Sequence, residues 1–186
     1  MSHRVCPWWM GYLLASPLRR WRQDPSKILP PYVGAGMTVL EPGPGMGFFT
    51  LELARLAGPA GRVVAVDIQA RMLASLKRRL RRAGLEERVD MRLASKESLG
   101  LGDLAGGVDF ALAFYMVHEA PAADRFFAEV AATLKPGGCV LLAEPAGHVK
   151  PIDFENELRM AAQAGLEAVE RPVIRRSIAA VLRKRA

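Results

Sequence analysis

The run Glu41-Pro42-Gly43-Pro44-Gly45-Met46-Gly47 sits where a β-branched stretch gives way to a helical pattern. Glycines at alternate positions let the backbone take positive φ and let a ligand approach the chain closely. The helix that follows presents unpaired N–H groups suited to an anionic group. A dinucleotide fingerprint needs its third glycine three positions after the second, and Phe48 stands there. A rival run, Gly34-Ala35-Gly36, precedes a strand and lacks the strand-to-helix context. Farther along, Tyr115, His118 and Glu119 follow one apolar run, and Glu144 and His148 stand at the end of another. Histidine titrates near neutrality, which suits a general base. Tyr115, His118, Glu144 and His148 are therefore the candidates for proton chemistry. The structural alternative is that His118 and Glu119 open a helix and His148 caps a loop.

Positioning such groups takes alternating strands and helices. Strands are expected over 38–41, 62–67, 89–93, 108–114 and 139–144, from short β-branched or apolar runs. Helices are expected over 46–57, 69–83, 122–134 and 153–164, the second and last closed by Gly84 and Gly165. Alternation at this spacing implies crossover units and a parallel sheet covered on both faces. Two final strands, 169–174 and 178–182, have only a short connection around Ser177 and must run antiparallel. The expected class is α/β: a Rossmann-like, doubly wound, mostly parallel seven-stranded sheet ending in an antiparallel C-terminal hairpin. Ligands in such sheets bind beyond the carboxyl ends of the strands, where the strand order reverses. Residues 1–36 hold all three tryptophans and read as an arm folded over the site, with 37–186 as the ligand-binding domain.

The chain's 186 residues suffice for one domain with a full core. No apolar run approaches the roughly 20 residues of a membrane-spanning helix. Met1-Ser2-His3-Arg4 opens no continuous apolar segment, and the two cysteines, Cys6 and Cys139, lie far apart. A cytoplasmic protein with free thiols is expected. Cys139 reads as core filler. The net charge of +7 can attract polyanions, but much of it lies in Lys77-Arg78-Arg79 and Arg81-Arg82, spaced as a solvated helix face.

The Glu41-x-Gly43-x-Gly45-x-Gly47 run resembles the first motif of class I S-adenosylmethionine-dependent methyltransferases. Asp67, ending the second strand, resembles that family's acidic residue for the ribose hydroxyls. The Leu134-Lys135-Pro136-Gly137-Gly138 turn resembles another family hallmark. The resemblance runs from about Met37 to the C-terminus and implies S-adenosyl-L-methionine as the cofactor. Glu41 and the backbone of Gly43, Gly45 and Gly47 would hold the methionine moiety, and Asp67 the ribose. Ile68 would stack on the adenine, Ala94 and Ser95 would border it, and Phe114 would lie beneath the cofactor. The family usually has aspartate where Ser95 stands.

Within the family the chain is similar to small quinone-biosynthesis and arsenite-methylating enzymes, whose N-terminal segments close over the site. If the fourth and fifth strands are neighbours, His118, Glu144 and His148 would converge near the transferred methyl. Trp8, Trp9 and Tyr12 are expected to wall an apolar acceptor pocket, with no metal site, since Cys6 lacks a Cys-x-x-Cys partner. The chain lacks the Asn/Asp-Pro-Pro-aromatic signature of base-amine methylation. A small-molecule acceptor is expected. An RNA methyltransferase and a catalytically silent cofactor-binding module are the alternatives, a nicotinamide dehydrogenase is more distant, and homodimer formation is left open.

Overall fold

The computed structural model describes residues 23–95 and 97–185. Residues 1–22 of the tryptophan arm, with Cys6, Trp8, Trp9, Tyr12 and Trp21, lie outside the described residues. The chain divides into two compact units on either side of Ser95 and Lys96.

The first unit opens with a one-turn helix α1 (Pro25–Ile28). It continues with β1 (Thr38–Pro42), α2 (Thr50–Ala57), β2 (Arg62–Asp67), α3 (Ala70–Ala83) and β3 (Val89–Leu93). β1 and β3 both pair parallel with β2. β2 is buried from Val63 to Asp67, as befits a strand covered on both faces. The helix expected from residue 46 begins at Thr50 instead. Gly45 (φ 55°) and Gly47 (φ 82°) are left-handed, and a right-handed helix cannot propagate through such residues. α3 stops where expected, on Gly84 in the left-handed conformation.

The second unit holds β4 (Val108–Phe114), α4 (Ala123–Thr133), β5 (Leu134–Pro145), α5 (Pro151–Gln163), β6 (Leu166–Glu170) and β7 (Ser177–Lys184). β4 and β5 pair parallel, whereas β7 runs antiparallel to both β5 and β6. The sheet has seven strands in the order β3-β2-β1-β4-β5-β7-β6, the mixed, mostly parallel arrangement expected. α5 begins two residues before the expected position, because Pro151 supplies a preset φ at the first helical position.

Two strands depart clearly from expectation: β6 spans Leu166–Glu170 rather than 169–174, and β5 starts at Leu134 rather than Cys139. Val108 pairs with Leu134 but Phe110 with Cys139, so the Lys-Pro-Gly-Gly segment bulges opposite Asp109. Lys135 Nζ closes the bulge on Asp109 Oδ1 at 2.5 Å. Cys139 therefore lies inside the strand, and it is half-exposed rather than core filler. No helix of the described residues is long and apolar enough to cross a membrane.

Gly138 is the point of closest approach in this bulge. A Cβ there would meet the carbonyl oxygens of Lys135 at 3.0 Å and of Val108 and Asp109 at 3.2 Å. Backbone atoms cannot swing aside, so Gly138→Ala is expected to cost about 1–3 kcal/mol. Gly102→Ala, which meets nothing within 4 Å, is expected to stay within about 0.5 kcal/mol of the parent. Paired urea titrations check both.

Candidate functional site

In the first unit the glycine loop joins β1 to α2. Gly43 N–H donates to Val66 O at 2.8 Å, extending the β1–β2 ladder, and Gly47 N–H donates to Pro44 O at 2.9 Å. Asp67, 7 % exposed at the end of β2, ties the loop down. Its Oδ2 accepts from Gly45 N–H at 3.3 Å and its Oδ1 from Gln69 N–H at 2.8 Å. The two ends of the loop differ sharply in space. A Cβ on Gly47 would overlap Leu76 Cδ1 at 2.3 Å, whereas one on Gly45 would meet nothing within 4 Å. The loop is thus packed on α3 at Gly47 and open at Gly45.

α3 braces the loop a second time, one turn after Leu76. The half-buried Arg79 guanidinium donates to Met46 O, and burial lowers its pKa from the usual value. Its neighbours on the helix are also engaged. Arg81 Nε is 2.7 Å and Lys77 Nζ 3.6 Å from the Glu86 carboxylate, and Arg78 donates to Ser75 Oγ at 2.9 Å. Much of the basic run therefore serves local structure.

Ala94 N–H donates to Asp67 O at 3.0 Å, which sets the start of the 94–95 segment beside the end of β2. Ile68 is 37 % exposed, and Ser95 is exposed, while Glu41 is 3 % exposed. An ordered carboxylate at Asp67, exposed apolar surface at Ile68 and an open cradle at Gly45 fit a nucleoside carrying an amino-acid tail. Sequence reading overlooked Thr50, whose buried Oγ1 has no hydrogen-bond partner among the described residues. An ordinary-looking threonine at a helix start carries no signal of that.

The second unit builds the other cluster around Glu144, the last interior residue of β5 and fully buried. Its Oε1 accepts from Val117 N–H at 2.8 Å and from His118 N–H at 3.4 Å. Its Oε2 accepts a hydrogen bond from His118 Nδ1. His118 lies in the 3-10 turn Val117–Glu119 that follows β4. The Glu119 carboxylate stands 3.9 Å from His118 Nε2. His148, exposed in the turn after β5, sets its ring edge against His118, with centroids 5.0 Å apart and planes at 68°.

Burial pulls the His118 imidazole down. The hydrogen bond to Glu144 and the charges of Glu144, Glu119 and Glu157 outweigh it, and the pKa stands above the ordinary 6.5. Glu157, on α5, is the member that sequence reading missed. It is 8 % exposed, and its Oε2 has no hydrogen-bond partner among the described residues. Burial and the charge of Glu144 push it up to about 8, with Asp153 adding to the rise against the pull of His118. A signal existed: Glu157 occupies the apolar helical spacing Phe154, Leu158, Ala161, all inward-facing. Tyr115 is placed differently from a proton-transfer group. Its Oη donates to Arg176 O at 2.9 Å and lies 2.8 Å from Ser177 Oγ. Phe114, 8 % exposed, stacks on the Tyr115 ring at 4.7 Å.

The fold and the glycine loop are those of class I S-adenosylmethionine-dependent methyltransferases. The methyltransferase domain model matches residues 39–138, more than half of the chain, and the chain belongs to that family. It is 31 % identical over 120 residues to the ubiquinone/menaquinone biosynthesis C-methyltransferase UbiE of Hahella chejuensis, covering 64 % of this chain and 47 % of the relative. To the arsenite methyltransferase of Halobacterium salinarum it is 29 % identical over 125 residues, covering 67 % and 30 %. The chain spans half or less of the length of these two relatives. A SAM-dependent methyltransferase from Aquifex aeolicus superposes with a TM-score of 0.84 at 23 % identity, over 96 % of this chain and 98 % of that one. The [4+2]-cyclase SpnF also superposes, with a TM-score of 0.72 at 19 % identity, over 94 % and 80 %. At these identities the likeness is one of fold, and fold alone does not set the reaction.

Two outcomes are expected. Gly47→Ala drives a methyl into Leu76 and Asp67→Ala unties the loop, so each should weaken S-adenosylhomocysteine binding at least about tenfold by calorimetry, the loss of one good contact. Glu157 holds a proton in the folded state between its ordinary 4.5 and about 8, where the unfolded chain has released it. Stability attributable to Glu157 therefore falls as pH rises through that window. The melting-temperature difference between Glu157→Gln and the parent should grow in the variant's favour from pH 5 to pH 8.5. A gain of about 2–4 °C, roughly 1 kcal/mol at this chain length, is expected; a pH-independent difference would rule out this titration.

Proposed function

We propose that the protein is a cytoplasmic S-adenosylmethionine-dependent methyltransferase that acts on a small-molecule acceptor and uses His118 as its general base. The observation that carries the reading is the grip of fully buried Glu144 on His118 Nδ1. A carboxylate on one ring nitrogen selects the tautomer with a lone pair on the other and stabilises the imidazolium that forms.

When bound, S-adenosylmethionine supplies a methyl group on a sulfonium, a strong electrophile that needs no activation. Glu41 and the backbone of Gly43, Gly45 and Gly47 would hold its methionine moiety and Asp67 its ribose, with Ile68, Ala94 and Ser95 bordering the adenine and Phe114 beneath. What remains for this chain is the acceptor's proton. His118 Nε2 accepts it as the acceptor becomes a nucleophile, and Glu144 balances the resulting charge. Glu119 adds negative potential around the same ring, which favours neutral or cationic acceptors over polyanions. This supports a small molecule over RNA, as do the local partners of Lys77, Arg78, Arg79 and Arg81. The names of the quinone and arsenite relatives point the same way.

The test is a methyl-transfer assay with labelled cofactor across phenols, thiols, amines and arsenite. His118→Asn and Glu144→Gln are each expected to lower kcat by about 10²–10⁴, the range of a positioned general base, while cofactor affinity by calorimetry holds. Unaltered kcat in His118→Asn would remove His118 from the chemistry. Cofactor binding with no transfer to any acceptor would favour a silent module.

A further inference from the structure

Two non-glycine residues among those described take positive φ: Tyr115 at 62° and Arg176 at 61°. Neither is a type that adopts this conformation readily, and such strain persists only where the surroundings over-determine it. The two are hydrogen-bonded to each other, since Tyr115 Oη donates to Arg176 O. That same carbonyl accepts Ala146 N–H at 3.0 Å. Ser177 Oγ lies 2.8 Å from the phenol oxygen, and Tyr115 N–H reaches Ala143 O at 2.8 Å.

Three chain segments thus meet at one oxygen. The first leaves β4 and reaches His118 three residues after Tyr115. The second leaves β5, and Ala146 lies midway between Glu144 and His148 in sequence. The third is the turn into β7. The left-handed twist at Arg176 orients its carbonyl, which both donors reach. The twist at Tyr115 turns the chain out of β4 while its N–H stays on β5. Ordinary right-handed backbone at either residue would break this convergence.

We propose that the Arg176 carbonyl is a node that sets the placement of His118 against Glu144, with Tyr115 as its positioning residue. Tyr115 then acts through His118 and not on the acceptor. The inference rests on the general-base reading of His118 for its functional consequence, though not for its geometry.

The test follows the His118 imidazole by NMR titration in the full chain without ligand, beside steady-state kinetics. In the parent, His118 is expected to titrate above 6.5, burial being outweighed by the hydrogen bond and charge of Glu144. Tyr115→Phe keeps the ring on Phe114 and deletes the hydroxyl. It is expected to move the His118 titration back toward 6.5 and to lower kcat on the order of tenfold to a hundredfold, the cost of a misplaced group. S-adenosylhomocysteine affinity should be unchanged. Arg176→Gly keeps the carbonyl and relieves the strain, so the parent titration should persist. Arg176→Val opposes the left-handed conformation and should reproduce the Tyr115→Phe shift. This Gly-against-Val comparison carries the test by itself should Tyr115→Phe fail to fold.

A Tyr115→Phe protein that melts earlier but keeps the parent His118 titration would overturn the node, as would Arg176→Val with that titration intact. If His118→Asn stays active while Tyr115→Phe still moves the titration, the node stands and the general-base reading falls. If His118→Asn is inactive while Tyr115→Phe moves neither titration nor kcat, the node falls and the base stands.

Discussion

A carboxylate without solvent contact is the feature on which the second unit depends. Taking an ion out of water costs several kcal/mol even after relaxation, and the cost is tolerable only when hydrogen bonds replace the lost water. Glu144 obtains them from one short stretch, the N–H groups of Val117 and His118 and the His118 ring. The chain leaving β4 must therefore fold back over the end of β5 within a few residues. That demand is met by the 3-10 turn at Val117–Glu119 and the left-handed residue at Tyr115. A second carboxyl, Glu157, is buried close by, and its Oε2 has no hydrogen-bond partner among the described residues. Like charges this near one another do not both ionise readily, and the one with fewer hydrogen bonds keeps its proton.

The first unit applies the same economy to a loop rather than to a charge. Left-handed glycines hold backbone N–H groups in place at Gly43, Gly45 and Gly47. A loop so free of side chains has little of its own to keep it ordered, so order is imposed from outside. Asp67 bonds Gly45, Leu76 fills the space against Gly47, and Arg79 holds Met46. Leu76 and Arg79, spaced i and i+3, share a helix face. Arg79 belongs to a run that reads in sequence as a mere solvated cluster, and its role becomes visible only from its partner 33 residues away.

Much of the fold was legible because periodicity is a local property. β2 and α3 appear within one residue of their expected ends, each carrying a clear pattern and, for α3, a glycine cap. Expectation failed where non-local contacts overrode the pattern. α2 starts at Thr50 because the glycine loop extends further than its apolar spacing suggests. β5 begins at Leu134 because pairing with Val108 draws the Lys-Pro-Gly-Gly segment into the strand as a bulge. Glu157 carried a legible clue, a carboxylate at an apolar helical position, but its meaning required knowing which charge lay across from it.

The run from Glu41 to Gly47, Asp67 at a strand end and the crossover alternation were sufficient, as sequence, to determine a Rossmann-like sheet and the methyltransferase family. Those features depend on short-range rules of backbone sterics and hydrophobic period, which neighbouring residues carry among themselves. The relations of His118, Glu144 and His148 were decided by tertiary structure alone. They come from the ends of β4 and β5 and the turns that follow them, some thirty residues apart, and only parallel pairing of β4 with β5 brings those ends to the same edge. Tyr115 shows the difference most clearly. As a residue type after a strand it suggested proton chemistry, and in the folded chain its hydroxyl is committed to Arg176, 61 residues away. No local rule could have chosen that partner, because antiparallel pairing of β5 with β7 is what delivers it.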